Sequence, residues 1–250
     1  MLRRIGLGIV LICAALWLAD TLNPLPLPKD DMARVVLAQD GTPLWRFADH
    51  NGVWRYPVSI EQVSPYYIEA LLGYEDRWFY QHPGINPLSI ARAAWQNLSG
   101  GQIVSGGSTL SMQVARLLDP HPRTLRGKLR QLWRTAQLEW HLSKDDILTL
   151  YLNRAPFGGT LEGVAAASWA YLGKSPKSLS RAEAALLAVL PLAPSRLRPD
   201  RHPKRAQAAR DKILQRLAQF AVWPERAISD ALQEPVWLAP RHEPALAPLL

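Results

Sequence analysis

Two acidic side chains, Glu75 and Asp76, stand side by side at the end of an apolar-periodic segment (Val63, Ile68, Leu71, Leu72). Charge and aromatic surface follow at once: Arg77, Trp78, Phe79 and His82. Helix ends leave backbone groups unpaired and tend to border clefts, so an acid placed there reaches a ligand. Such a carboxylate suits general acid or base work. Downstream, Gly106-Gly107-Ser108-Thr109 leads into a helix capped by Ser108 or Thr109. A glycine-rich turn into a helix N-terminus offers free N–H groups to phosphate. Thr109, Gln113 and Arg116 fall at i, i+4 and i+7 and share one face, while Leu110, Val114 and Leu117 fill the other. The next helix repeats the theme, with Lys128, Gln131, Thr135 and Glu139 on one face beside Arg126, Arg130 and Arg134. A capped helix with a polar outer face, or a solvated basic face, would explain either feature alone. Their coincidence between Glu75 and Glu139 points to a site.

The elements that must hold these residues are mostly helical. Ser64-Pro65 is a cap followed by a first-turn proline, and its helix carries Glu75 near its end. Pro87 opens a second helix through Asn97, closed by Ser99-Gly100-Gly101. Leu88 to Val104 is apolar, with Arg92 its only charge, and reads equally as a mobile loop touching a membrane or as a packed helix. Further helices are expected over Ser108–Leu118, Leu125–His141, Lys144–Asn153, Leu161–Leu172, Arg181–Leu190 and Lys204–Phe220, then a short one beyond Trp223. Ahead of Ser64, short alternating runs at Arg34–Ala38, Leu44–Ala48 and Val53–Val58 are split by Asp40-Gly41 and Asn51-Gly52. That pattern predicts a three-stranded β-meander. After Ser64 strand signals nearly vanish, so the expected class is mainly α.

With 48% hydrophobic and 20% charged residues the 250-residue chain is globular in balance and long enough for one well-filled core. Its net charge of +8 suits polyanions: nucleic acid, acidic lipid or substrate phosphates. Cys13 is the sole cysteine, which excludes disulfides and cysteine-ligated metal sites. It lies in an apolar run, Ile5–Ala19, that follows Arg3-Arg4 and stops at Asp20. Such a run rises about 22 Å, short of a bilayer core of roughly 30 Å unless thinning and snorkelling help. It reads as an uncleaved anchor with a cytoplasmic N-terminus; a cleaved signal peptide is the competing reading. Asn23–Lys29 is a stiff proline-spaced stalk, and the prolines from Pro235 to Pro248 mark a linker-like tail.

The motifs resemble those of the peptidoglycan glycosyltransferases, family 51, found in class A penicillin-binding proteins. Glu75–Phe79 with His82, Gly84 and Arg92-Ala93 is similar to the first motif, and Gly106–Gln113 to the second, with Arg116 where the family usually has lysine. Lys128–Glu139 matches the third, Ile147–Asn153 with Gly158-Gly159 the fourth, and Glu183–Ala188 with Pro191, Pro194 and Ser195 the fifth. The third motif departs from the family's Arg-Lys-x-x-Glu: here Gly127 precedes Lys128 and Gln131 replaces the second glutamate. No Ser-x-x-Lys or Lys-Thr-Gly transpeptidase signature occurs.

The resemblance implies a lysozyme-like α-helical glycosyltransferase domain over 61–222, after an anchor (1–22) and a stalk with meander (23–60), and before the tail (223–250). It implies inverting polymerisation of lipid II into glycan, with polyprenyl diphosphate released. Glu75 would be the general base and Gln131 would occupy the second catalytic position. Lys128 and Arg116 would steady the leaving diphosphate with Ser108, Thr109 and Gln113, and Asp76, Phe79, His82, Arg92 and Asn153 would complete the substrate contacts. No cofactor is required, although Mg²⁺ or Mn²⁺ could assist, and no metal-ligating residues are assigned. Expected partners are lipid II, the nascent glycan strand, the bacterial inner membrane and cell-wall synthesis proteins, not nucleic acid. The catalytic domain would face the periplasm. Two alternatives are a lytic, lysozyme-like glycan-cleaving enzyme and a weakly active scaffold. Restoring the family glutamate, Gln131→Glu, is expected to raise turnover modestly when Mg²⁺ or Mn²⁺ is added.

Overall fold

A proline in a first helical turn loses no hydrogen bond, and Pro65 opens α2 (Pro65–Glu75) in this way. The computed structural model describes residues 2–28, 33–37, 39, 43–86 and 108–239. Before α2 lie α1 (Leu2–Leu22) and a two-stranded antiparallel sheet, β1 (Val35–Leu37) with β2 (Pro43–Arg46), in which Val36 faces Trp45. After it come α3 (Leu110–Leu118), α4 (Leu125–His141) and α5 (Lys144–Arg154). A small hairpin of β3 (Pro156–Gly158) and β4 (Leu161–Glu162) leads to α6 (Val164–Ala167), which continues as a π-helical turn to Leu172. The remainder is α7 (Arg181–Val189), α8 (Pro203–Gln219) and α9 (Glu225–Gln233). The described residues are mainly α.

Side-chain caps start these helices where the sequence places hydroxyls. Thr109 accepts from the Met112 N–H at α3 and Thr124 from the Gly127 N–H at α4. Ser143 with Asp146 and Ser180 with Glu183 form capping boxes at α5 and α7. Helix α7 is buried at Ala182 and from Ala184 to Val189, so it is covered on nearly all sides. Its alanines let α2, α8 and α9 pack closely around it. Tyr67 and Leu71 of α2, Leu148 and Leu152 of α5, and Ile213 and Leu214 of α8 fill the same core.

Only two of the three expected meander strands form. Residues 53–58 run irregularly because other groups take their backbone bonds. Ala33 donates to the Arg55 carbonyl at 3.0 Å, and the Asn153 side chain holds both Val58 backbone groups at 2.8 Å. Trp54 instead bridges Leu161, so the strand signal missed after Ser64 appears at β3 and β4. The helix expected from Leu161 consequently starts at Val164. The helix expected over 87–97, the turn at Gly106-Gly107 and the end of the proline tail lie outside the described residues.

Helix α1 presents Leu7, Val10, Leu11, Ile12 and Trp17 about 60% exposed. Among the described residues no helix is long and apolar enough to cross a membrane. The end of α1 is fastened to α4. Gln137 donates to Asp20 at 2.7 Å, His141 meets the same carboxylate at 2.9 Å, and Arg134 donates to the Asn23 carbonyl and side chain.

Gly127 lets the loop before α4 fold back on the helix, since a Cβ there would meet the Pro122 carbonyl oxygen at 2.1 Å. Helix propensity alone favours alanine over glycine by about 1 kcal/mol. Overpacking costs roughly 1–3 kcal/mol, so Gly127→Ala is expected to lower the melting temperature instead of raising it. A thermal unfolding curve with a higher midpoint for the alanine form would show that this close approach is not maintained.

Candidate active site

The last residue of α2 is Glu75, half-buried, and Gln113 of α3 donates to its carboxylate at 2.6 Å. It lines a cleft of about 480 Å³. Four arginines share the lining, Arg77, Arg116, Arg123 and Arg216, together with Trp78, Tyr151 and Phe220. Burial pushes the Glu75 carboxyl above the usual range; the Gln113 bond and Arg216 oppose the rise, and Asp76 adds to it. Tyr67 and Tyr151 are pushed up by their own burial and then by the charge of Glu75, so both phenols stay protonated.

Asp76, also on the lining, turns inward. The His82 imidazole meets its two oxygens at 2.8 and 3.0 Å, and the Leu110 backbone N–H donates to it at 2.9 Å. A negative charge at the first turn of α3 is favoured by the unpaired amides there. Thr109 caps the same turn and donates to the Gly84 carbonyl, while Ser108 is exposed at the rim. Arg116 donates to the His121 carbonyl at 3.1 Å, which ties it to the loop that carries Arg123.

Gln131 is buried at the cleft wall, and both ends of its amide are used. Its Nε2 donates to the Met112 carbonyl at 2.6 Å and its Oε1 accepts from Lys128 at 3.2 Å. Lys128 itself is exposed and stands off the cleft lining. Partial burial and then Arg116 lower its pKa. Glu139, on the same helical face, is held by Ser111 at 2.5 Å and Lys144 at 2.7 Å.

Three residues expected at the substrate do not line the cleft. Phe79 is 1% exposed in the core, with the Lys144 ammonium 4.6 Å from its ring centre. His82 is buried against Asp76. Asn153 is buried and holds the Val58 backbone and the Thr149 carbonyl, so it braces the irregular 53–58 segment. Phe79 directly follows Trp78, which does reach the cleft, and adjacency in sequence does not tell which way a side chain turns. Arg92 is outside the described residues. Sequence reasoning missed Arg123 and Arg216 as lining residues; a lone arginine after a Pro-His-Pro loop, or on an amphipathic helix, resembles any solvated cation. The spacing of Arg216 and Phe220, one helical turn apart, was the only available signal.

Among the described residues no group of three or more His, Cys, Asp or Glu is placed to hold a metal ion. Asp76, the second acid of the cleft, is already committed to His82 and Leu110. Among the described residues these donors do not assemble a set for Mg²⁺ or Mn²⁺.

Residues 40–218 match a family model described as transglycosylase. Over 239 residues the chain is 69% identical to penicillin-binding protein 1C of Escherichia coli K12, covering 96% of this chain and 31% of that protein. It is 38% identical over 183 residues to penicillin-binding protein 1A of Aquifex aeolicus VF5, covering 73% of this chain and 25% of that one. A crystal structure of penicillin-binding protein 1A from Haemophilus influenzae aligns with a TM-score of 0.49 at 23% identity, over 85% of this chain and 22% of that chain. The chain thus spans less than a third of the length of these relatives. Since the family match takes in Glu75, Gln113, Gln131 and all four cleft arginines, the chain belongs to the transglycosylase family.

Proposed function

We propose that the protein is a peptidoglycan glycosyltransferase that joins lipid II units into glycan and releases polyprenyl diphosphate. The observation that carries this reading is a half-buried carboxylate, Glu75, in a cleft whose four arginines make no ion pair among the described residues. A base alone would serve many hydrolases; a base among unpaired cations suits a reaction that generates an anion. The similarity to penicillin-binding protein 1C supports the same substrate class. A lytic enzyme cutting between sugars has no diphosphate to hold, and so much cationic lining would serve nothing there.

In this mechanism Gln113 fixes one face of the Glu75 carboxylate, and the free oxygen accepts the proton of the acceptor 4-hydroxyl. The acceptor oxygen attacks the anomeric carbon from the side opposite the diphosphate, so configuration inverts. The bond from that carbon to the diphosphate breaks, and its electron pair leaves on the phosphate oxygen. Arg116 and Arg123 meet that charge as it develops; losing one such contact typically costs about 3–4 kcal/mol of barrier. Gln131 places no charge in the cleft. It ties α3 to α4 and leaves the Lys128 ammonium unneutralised beside Arg116.

The reading includes a lysozyme-like helical domain and a place at the outer face of the bacterial inner membrane. The exposed apolar side of α1 supports an anchor in the acyl region. Its docking on α4 through Asp20 and Asn23 would hold the cleft near the surface where a polyprenyl substrate resides.

Glu75→Gln is expected to lower lipid II turnover by about 10²–10⁴-fold while the fold survives. The wild-type rate should fall on the acid side with a midpoint above the ordinary carboxylate range, because Glu75 must be unprotonated to act. Stability follows the opposite sense. A carboxyl whose pKa is raised by folding is neutral in both states at low pH and weakens the fold as pH rises above its unfolded value. At neutral pH the glutamine form should therefore melt no lower than wild type. Retained turnover in that form would remove Glu75 from the role of base.

The geometry at position 131 reverses the expectation for Gln131→Glu. A carboxylate there cannot donate to the Met112 carbonyl, 2.6 Å away, and would neutralise Lys128 instead. Turnover should fall in Gln131→Glu with or without Mg²⁺ or Mn²⁺. A rate above wild type on adding either ion would show that the amide is a loss and not a tie.

A further inference from the structure

Arg134 lies in the middle of α4, buried and off the cleft lining. All three of its guanidinium nitrogens are engaged. Its Nε donates to the Asp119 carboxylate at 2.8 Å. Its Nη1 donates to the Gln137 side-chain oxygen at 2.7 Å and to the Asn23 and Pro24 carbonyls at 3.0 Å. Its Nη2 donates to the Asn23 side-chain oxygen at 2.9 Å. Asn23 and Pro24 begin the stalk directly after α1. One buried cation therefore joins the stalk to the residue that ends α3. A guanidinium is costly to bury unless its donors are satisfied, so the two segments are held together or not at all.

Asp119 is also the start of a short chain of bonds into the cleft. Its N–H caps α3 by donating to the Ala115 carbonyl, and its own carbonyl accepts from His121 Nδ1 at 2.6 Å. The His121 carbonyl in turn accepts from Arg116 Nη2 at 3.1 Å. Arg116 lines the cleft, as does Arg123 of the same loop. The path from stalk to cleft thus runs through Asn23, Arg134, Asp119, His121 and Arg116. Arg130 holds the same Asp119 carboxylate through two bonds of 2.7 Å, but its side chain is 55% exposed, against 5% for Arg134. Water screens an exposed pair, whereas a buried pair with all its donors used keeps a single geometry.

We propose that Arg134 is a positioning residue for the transfer reaction: braced on the stalk, it sets the 119–123 loop and through it aims the Arg116 guanidinium at the leaving diphosphate. The proposal rests on the transferase reading above. Arg134 itself touches neither the substrate nor the reacting atoms. Its effect falls on kcat, because the charge that Arg116 meets develops as the bond to the anomeric carbon breaks. Ground-state binding is shared with the other cleft cations and changes little.

Turnover of lipid II by the full chain tests this. Arg134→Met keeps a long buried stem and removes every donor; it should lower kcat about tenfold, with KM changed by no more than about twofold. Arg130→Ala takes the same charge from the same carboxylate and should stay within about twofold of wild type. A double-mutant cycle separates positioning from general weakening of the fold. In an Arg116→Ala background, Arg134→Met should lower kcat by no more than about a further twofold, since its route to the reaction is already gone. Losses that multiply, or an equal loss in Arg130→Ala, would overturn the positioning role. If Arg134→Met does not fold, Asn23→Ala gives the same cycle from the exposed stalk, with a loss of about threefold alone and none beside Arg116→Ala. Binding of inorganic pyrophosphate reads the same placement without turnover, because the free anion carries the charge that develops on leaving. Arg134→Met should weaken it about fivefold, and leave it unchanged once Arg116 is alanine. That binding pattern in a wild-type protein without turnover would sink the transferase reading alone; wild-type turnover with multiplying losses would sink the positioning role alone.

Discussion

Asp76 accepts from the Leu110 backbone N–H at 2.9 Å and from His82 at 2.8 Å, and this joins the last turn of α2 to the first turn of α3. The cleft depends on that junction. Glu75 is one residue before Asp76, and Gln113 is three residues after Leu110, so fixing the two helix ends sets the 2.6 Å bond between the glutamate and the amide. A carboxylate at a helix N-terminus is stabilised by the unpaired amides it faces, and burial strengthens such a bond by excluding water. Neighbouring acids thus have separate duties: one builds the joint, the other remains available for chemistry.

The electrostatics of the site follow from the same division. With Asp76 bonded inward, Glu75 is the carboxylate left facing the cleft, and its burial raises its proton affinity. The positive charge around it is spread over four arginines. Arginine stays protonated at every relevant pH and is less strongly hydrated than an ammonium, so it keeps its charge in a partly desolvated cleft. Two of the four are steered by aromatic rings and one by the His121 carbonyl.

The departures of the third motif make physical sense together. Gly127 admits the Pro122 carbonyl against the helix, which brings the loop carrying Arg123 to the cleft. Gln131, one turn on, bridges the Met112 carbonyl and Lys128, a task that needs a donor and an acceptor on one side chain. A glutamate supplies only acceptors when ionised. The wall thus carries a neutral tie, while the cleft is lined by Arg77, Arg116, Arg123 and Arg216.

Much of this was legible in the chain itself. Hydroxyl caps with apolar periodicity marked α3, α4, α5 and α7, and apolar periodicity marked α8, to within a few residues, because capping and burial of one face are local properties of a helix. That Gln113 and Arg116 share one helix face, and Lys128 and Gln131 another, was readable for the same reason. The irregular course of residues 53–58, where a third strand is expected, was not, since their backbone partners are the side chain of Asn153 and the distant turn at Thr160. Nor could spacing separate Phe79, His82 and Asn153, which turn inward, from the neighbours that face the cleft. The sequence by itself determined which helices exist and which residue types could do chemistry, because both are set over a few turns of chain. Only the tertiary structure decided that Asp76 is a joint and that Arg123 and Arg216 stand beside Glu75, because long-range packing sets which ends and faces meet.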